Sequence, residues 1–312
     1  MIDPQIPLAI APIFLLIVLG FGLWRISFPS GDFWQFNNKL VYFVLLPALL
    51  FAKISTINFS QVSFVSETVM LYSGFGSAVL FALYLSRQRG YDGPATSSIL
   101  QGSSRHNSFL ALAIAERLLG SAGLAQAALY AAMLIPVTNI VVVSLMVVLV
   151  QKAEPRGVVR AILRDLGRNP LLLAVILGLV TNSFDITPIP VLNDMADLLG
   201  KAALPMMLVG VGASIRVRQL GEIGLPVIAS IFGKMVLFPL VIVVAATALG
   251  VSELAMMVAV VYGAVPTAVS GYALAQQMGG DTHLMSSMIT VQTALSFFTL
   301  PLTISLAQYF WG

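Results

Sequence analysis

Ser97-Ser98-Ile99-Leu100-Gln101-Gly102-Ser103-Ser104-Arg105-His106-Asn107-Ser108 runs directly into Phe109-Leu110-Ala111-Leu112-Ala113-Ile114-Ala115. The second half is a good membrane helix, yet Arg105-His106-Asn107 falls near the middle of the same apolar stretch. Lipid offers no partner to freed backbone groups. A mid-bilayer arginine costs roughly 2.5–3.5 kcal/mol on insertion scales. A polar, glycine-containing centre persists where it lines a watery cavity or holds a solute. The stretch therefore reads as a membrane helix broken at a transporter's substrate site.

Working outward, 58% of the 312 residues are hydrophobic and 9% are charged, against about 25% charged in soluble domains. The chain is expected to be an all-α polytopic membrane protein. There are no cysteines and two histidines, His106 and His283, so thiol chemistry is excluded and neither a metal site nor a cofactor is expected. Nothing resembles a phosphate-binding loop, so ATP is not the expected energy source. The net charge of +3 is read as topological, with no nucleic-acid partner. Met1-Ile2-Asp3-Pro4-Gln5 lacks a basic leader, so the first apolar segment is expected to be a retained helix.

Apolar stretches that cross, or nearly cross, a core of about 30 Å run over Ile6–Trp24, Lys39–Ile54, Phe64–Tyr84, Thr96–Leu119 and Leu124–Val150. They continue over Leu171–Phe184, Val191–Ile215, Ile223–Leu249, Leu254–Met278 and Leu284–Phe310. This divides the chain into a first five-span unit (1–150), a linker (151–170) and a second five-span unit (171–312). In the linker, Arg156, Arg160, Arg164 and Arg168 recur at four-residue spacing, which suits either an interfacial amphipathic helix or a solvated basic loop. With the N-terminus outside, the inner loops hold Arg25, Arg87, Arg89, Lys152, those four linker arginines, Arg216 and Arg218. The outer ends hold only Lys53 and Arg117. The positive-inside rule then predicts an inner-membrane protein with both termini outside and the linker in the cytoplasm.

Five spans per unit place the second unit upside down relative to the first, and the sequence carries a matching repeat. Leu40, Leu46, Pro47 and Leu50 recur as Leu198, Leu204, Pro205 and Leu208, an offset of 158. Ala113, Ala115, Gly120 and Leu124 recur as Ala273, Ala275, Gly280 and Leu284, an offset of 160. The repeat aligns Arg105-His106-Asn107 with Val265-Pro266-Thr267, inside the proline- and glycine-interrupted run Gly263–Gly271. Broken helices at corresponding positions of inverted repeats point to a midplane site. Half-helices beginning near Asn107 and Thr267 would aim amide donors at a bound anion.

These segments, together with Asn38–Phe51 and Leu204–Ala213, make the chain resemble the auxin efflux carrier family over nearly its whole length. That family comprises the plant auxin exporters and bacterial relatives, some associated with malate or malonate. The resemblance implies ten helices in two inverted five-helix repeats, as in the bile acid–sodium symporters. The fourth and ninth would be broken and crossing. Spans 1, 2, 6 and 7 would form a scaffold, and spans 3–5 and 8–10 an elevator-like transport domain. It further implies a homodimer through the scaffold and transport of small organic carboxylates. The short linker sets the chain apart from the plant carriers and nearer the bacterial branch.

Candidate substrate contacts are Arg105, Asn107, His106, Pro266, Thr267, Ser270, Asn139 and Thr293, the last with Ser296 beside it. A guanidinium offers a fork to a carboxylate, although Arg105 could instead bridge helix-end carbonyls. Asn107 either binds ligand or satisfies the broken backbone. His106 is expected to point away if its neighbours face a cavity, with packing and proton coupling both open. Pro266 reads first as a breaker. Thr267 and Ser270 could meet ligand or cap a half-helix. Pro47 and Pro205 are read as kinks. Lys234, deep in the eighth span, needs a partner, and Glu67 is one conceivable counter-ion. Asp197 and Lys201 are spaced to pair on one helix. The readings competing with a carrier are an anion channel and an intramembrane enzyme using His106 as base.

Overall fold

Helix is the only regular structure among the described residues, as expected where lipid leaves backbone groups to satisfy one another. The computed structural model describes residues 5–57, 62–151, 167, 169–184, 190–216 and 223–311. The expected linker therefore lies, apart from Gln151, Gly167, Asn169 and Pro170, outside the described residues, as does Arg218.

Helix α1 is Gln5–Arg25. Helix α2, Gly31–Leu40, passes through a π-helical turn at Val41–Leu45 into α3, Leu46–Ile54. Pro47 sits in the first turn of α3, where its missing N–H is tolerated beside the widened turn. Helix α4 is Phe64–Arg89 and α5 is Gly93–Ser104. Helix α6, Ser108–Met146, is two arms joined at Gly120, whose φ of 66° and ψ of −155° lie outside helical space. That residue separates the expected fourth and fifth spans. Asn169 caps α7, Pro170–Ser183, and α8 is Pro190–Ala213. Pro205 lies inside α8 without interrupting it, unlike the break at Pro266. Helix α9, Leu225–Phe232, continues through a π-helical turn at Gly233–Leu237 into α10, Phe238–Leu249. Then follow α11, Glu253–Ala264, α12, Ser270–Met278, and α13, Thr282–Trp311.

Seven helical segments among the described residues are long and apolar enough to cross a membrane, which makes this a multi-pass membrane protein. The helices α7 and α11 are apolar but shorter, so the sixth and ninth expected spans do not reach full crossing length as single helices.

Local backbone features recur at an offset of 160 residues. Gly90 and Gly250 close α4 and α10 in the left-handed conformation. Asp92 and Ser252 cap α5 and α11 by accepting from the N–H of Ala95 and of Ala255. Arg105 and Val265 then leave those helices in nearly the same extended conformation, with ψ of 151° in both.

Two close approaches fix the packing. A Cβ at Gly20 would run into the Val209 carbonyl, and one at Gly212 into the Ile17 carbonyl, so α1 and α8 meet backbone to backbone, as small residues allow in membranes. A Cβ at Gly74 would meet Phe238 and Ile242, which seats α4 against α10. Helix α3 lies on α7 and α8. At its end Lys53 lies 3.3 Å from Asp197, which also pairs with Lys201 at 2.8 Å, so the expected Asp197–Lys201 pair is joined by a third partner. Helices α4, α9, α10 and α13 pack against α5 or α11, the two helices that run into the breaks.

Candidate binding site

The first break begins where α5 runs out of helix. Arg105 N–H makes the last turn's bond to Gln101 O, 3.0 Å, and then turns extended. His106 and Asn107 follow, and the Asn107 Oδ1 caps α6 by accepting from Leu110 N–H, 3.2 Å. The second break has the same form: Val265 N–H bonds Val261 O at 3.0 Å, and Pro266 brings no donor. Between them, Asn107 N–H donates to Pro266 O at 2.9 Å, so the two interruptions touch through main-chain atoms.

Helix ends leave carbonyls without intrahelical partners, and at both breaks side chains from neighbouring elements reach carbonyls of the last turn. Thr267 Oγ1 donates to Gln101 O at 3.0 Å. Gln292, from α13, donates to Gly102 O (2.9 Å) and to Ser230 Oγ (3.1 Å) while accepting from Thr267 N–H (2.8 Å). Lys234 donates to Tyr262 O at 2.8 Å and to Gly263 O at 3.0 Å.

Against this frame a cavity of about 970 Å³ opens beside the two breaks, toward the upper end of the usual range for small-molecule sites. Arg105, His106, Asn107, Asn139 and Ser270 are on its wall; Pro266, Thr267 and Thr293 are not. His106 is among the wall residues, while its ring packs 5.4 Å from that of Tyr262, a buried residue that is not on the wall. Thr267 is committed to Gln101 O, and Thr293 and Ser296 bond Ile289 O and Thr293 O within their own helix. These hydroxyls take the structural option. The suggested Lys234–Glu67 pair is not formed. Glu67 accepts from Ser63 N–H, Gln126 and Tyr130 instead.

Arg105 Nη2 donates to Ser270 Oγ at 3.2 Å, spanning both breaks. Its Nε and Nη1 are buried with no protein partner, as are Asn107 Nδ2 and the Thr138 hydroxyl. Among the described residues no carboxylate lies within ion-pair distance of Arg105. Among the described residues, the charged ones on the wall are Lys39, Arg105 and Arg216, with no aspartate or glutamate. Buried donors and one sign of charge suit an anion that accepts several hydrogen bonds.

Sequence reasoning did not single out Gln292, Thr138, Lys39 or Arg216 for the site. Gln292, in the tenth expected span, carried a signal, since a side-chain amide inside an apolar stretch needs partners. Lys39 and Arg216 were read as a motif residue and a topological charge; only folding puts them on one wall.

A family model described as "Membrane transport protein" matches residues 6–304. The chain is 25% identical over 298 residues to a Rhizobium meliloti protein named "Putative malonate transporter", covering 93% of this chain and 92% of that one. It is 24% identical over 293 residues to a Methanothermobacter thermautotrophicus protein named "Uncharacterized transporter", covering 93% and 94%.

Proposed function

The chain belongs to the membrane transport protein family, the auxin efflux carriers and their relatives, and on that premise we propose that it carries small organic carboxylates by alternating access. The observation that supports this reading best is the wall beside the breaks, which among the described residues has three cationic residues, none acidic, and unpartnered donors on Arg105 and Asn107. The malonate named for one relative agrees with a small dicarboxylate. In this reading Arg105 holds the carboxylate, with Asn107, Ser270, Asn139 and His106 around it. Pro266, Thr267 and Thr293 hold the frame.

The ten spans form two inverted repeats, which the 160-residue recurrence of caps and breaks supports. Spans 1, 2, 6 and 7 are the scaffold through which two copies pair, and the remainder is the body that moves. The protein lies in the inner membrane with both termini outside. Lys39 and Arg216 then mark the cytoplasmic end of the cavity, so the described conformation faces inward.

Counterflow in proteoliposomes with malonate, malate, monocarboxylates and indole-3-acetate tests the proposal. One ligand is expected to exchange saturably, with acceleration by internal ligand. Arg105→Ala should lower that exchange by about 30-fold or more, the loss typical of truncating one side of a desolvated charge contact. Flux without exchange acceleration would indicate an anion channel. An inert panel with folded protein would overturn the carboxylate reading.

A further inference from the structure

Lys234 is completely buried, and the carrier reading gives it no task. Its amino group bonds the carbonyls of Tyr262 and Gly263, in the last turn of α11 before the second break. The Phe238 ring centroid lies 4.2 Å away. No carboxylate among the described residues lies within ion-pair distance of it. Each contact favours a cation, since the C-terminal end of a helix carries partial negative charge and an aromatic face attracts an ammonium. Carbonyls exposed where a membrane helix breaks are also the ligands that carriers offer to alkali ions.

Comparison of the two breaks shows that backbone satisfaction alone does not demand a charge. At the 160-residue offset Tyr262 corresponds to Gly102, whose carbonyl is satisfied by the neutral Gln292 amide. The second break uses a cation instead. Its reach is built in: Lys234 lies in the π-helical turn Gly233–Leu237. Cβ atoms at Gly233 and Gly263 would meet Ser103 and the Pro239 backbone, so both glycines keep the elements close.

We infer that the Lys234 ammonium is a tethered counter-ion, seated on the carbonyls that an alkali ion would otherwise occupy, so that the crossing is complete without one. Only the consequence for transport, that the anion needs no co-bound alkali ion, rests on the carrier reading. The seat itself is tested without substrate.

The test is the thermal unfolding midpoint of the purified full chain, followed by tryptophan fluorescence at constant ionic strength. Sodium, potassium, lithium, methylammonium and choline chlorides are compared. Wild type should unfold at the same temperature in all five. Lys234→Ala should unfold roughly 5–15 °C lower in choline and recover at least half of the loss, saturably, in methylammonium or an alkali chloride. Lys234→Met, which fills the volume without charge, should be low in every salt. Saturable stabilisation of wild type by sodium, a wild-type midpoint for Lys234→Met, or no recovery of Lys234→Ala in any salt would each overturn the inference. If Lys234→Ala does not fold, the wild-type and Lys234→Met arms still decide it.

Discussion

Arg105 uses one guanidinium nitrogen on Ser270 and leaves two buried without protein partners. That division sets the expected ranking of its variants. Arg105→Lys keeps the charge but loses the planar fork, so carboxylate affinity, measured by titration calorimetry, should fall by about 10-fold, less than in Arg105→Ala. Thr293→Val should change affinity by less than about 2-fold, because that hydroxyl serves its own helix. A large loss would return Thr293 to the site. Arg105 was legible in the sequence because a charge inside an apolar span is rare enough to demand a reason. The roles of Asn107 were not separable there, since one amide both caps α6 and leaves its Nδ2 unpartnered. Nor could the partners of Lys234 and Glu67 be read. Carbonyls, amides and phenols satisfy them, and such groups occur throughout the chain.

At the level of elements, the first broken helix is held by neutral latches. Gln292→Leu would strand Gly102 O and Thr267 N–H inside the protein. Each buried orphan costs about 1–3 kcal/mol, so thermal stability should drop clearly even in the absence of ligand. An unchanged unfolding midpoint would show that the latch is dispensable. Gly120 presents a different constraint. Its φ of 66° with ψ of −155° belongs to a region open essentially to glycine, so Gly120→Ala should destabilise although open space surrounds the Cβ position. The proline and glycine breaks and the repeat were visible in the sequence as composition. The merging of α6 across Gly120 was not, because residues 121–123 continue in helix with no loop.

For the whole molecule, orientation is the feature most directly tested. The chain has no cysteine, so single cysteines report without background. Both Ser121 and Gln88 are exposed. Ser121→Cys should react with an impermeant maleimide on intact cells, and Gln88→Cys only after lysis. The reverse pattern would overturn the proposed topology. The packing of α1 on α8 is testable as well: Gly212→Val would force apart backbones that touch, at a cost of about 1–3 kcal/mol. The multi-pass helical class followed from composition. The backbone contact of α1 and α8 did not, since glycine in a membrane helix is common and its neighbour is set by tertiary packing.

The bond from Asn107 N–H to Pro266 O has a consequence for divergence. Both of its atoms belong to the main chain, so point substitutions leave it intact, apart from proline at position 107, which would delete the donor. An alanine scan would pass over it in silence. Lineages descended from a common ancestor are free to rewrite the pocket around it, trading one cargo for another, while inheriting the same joint.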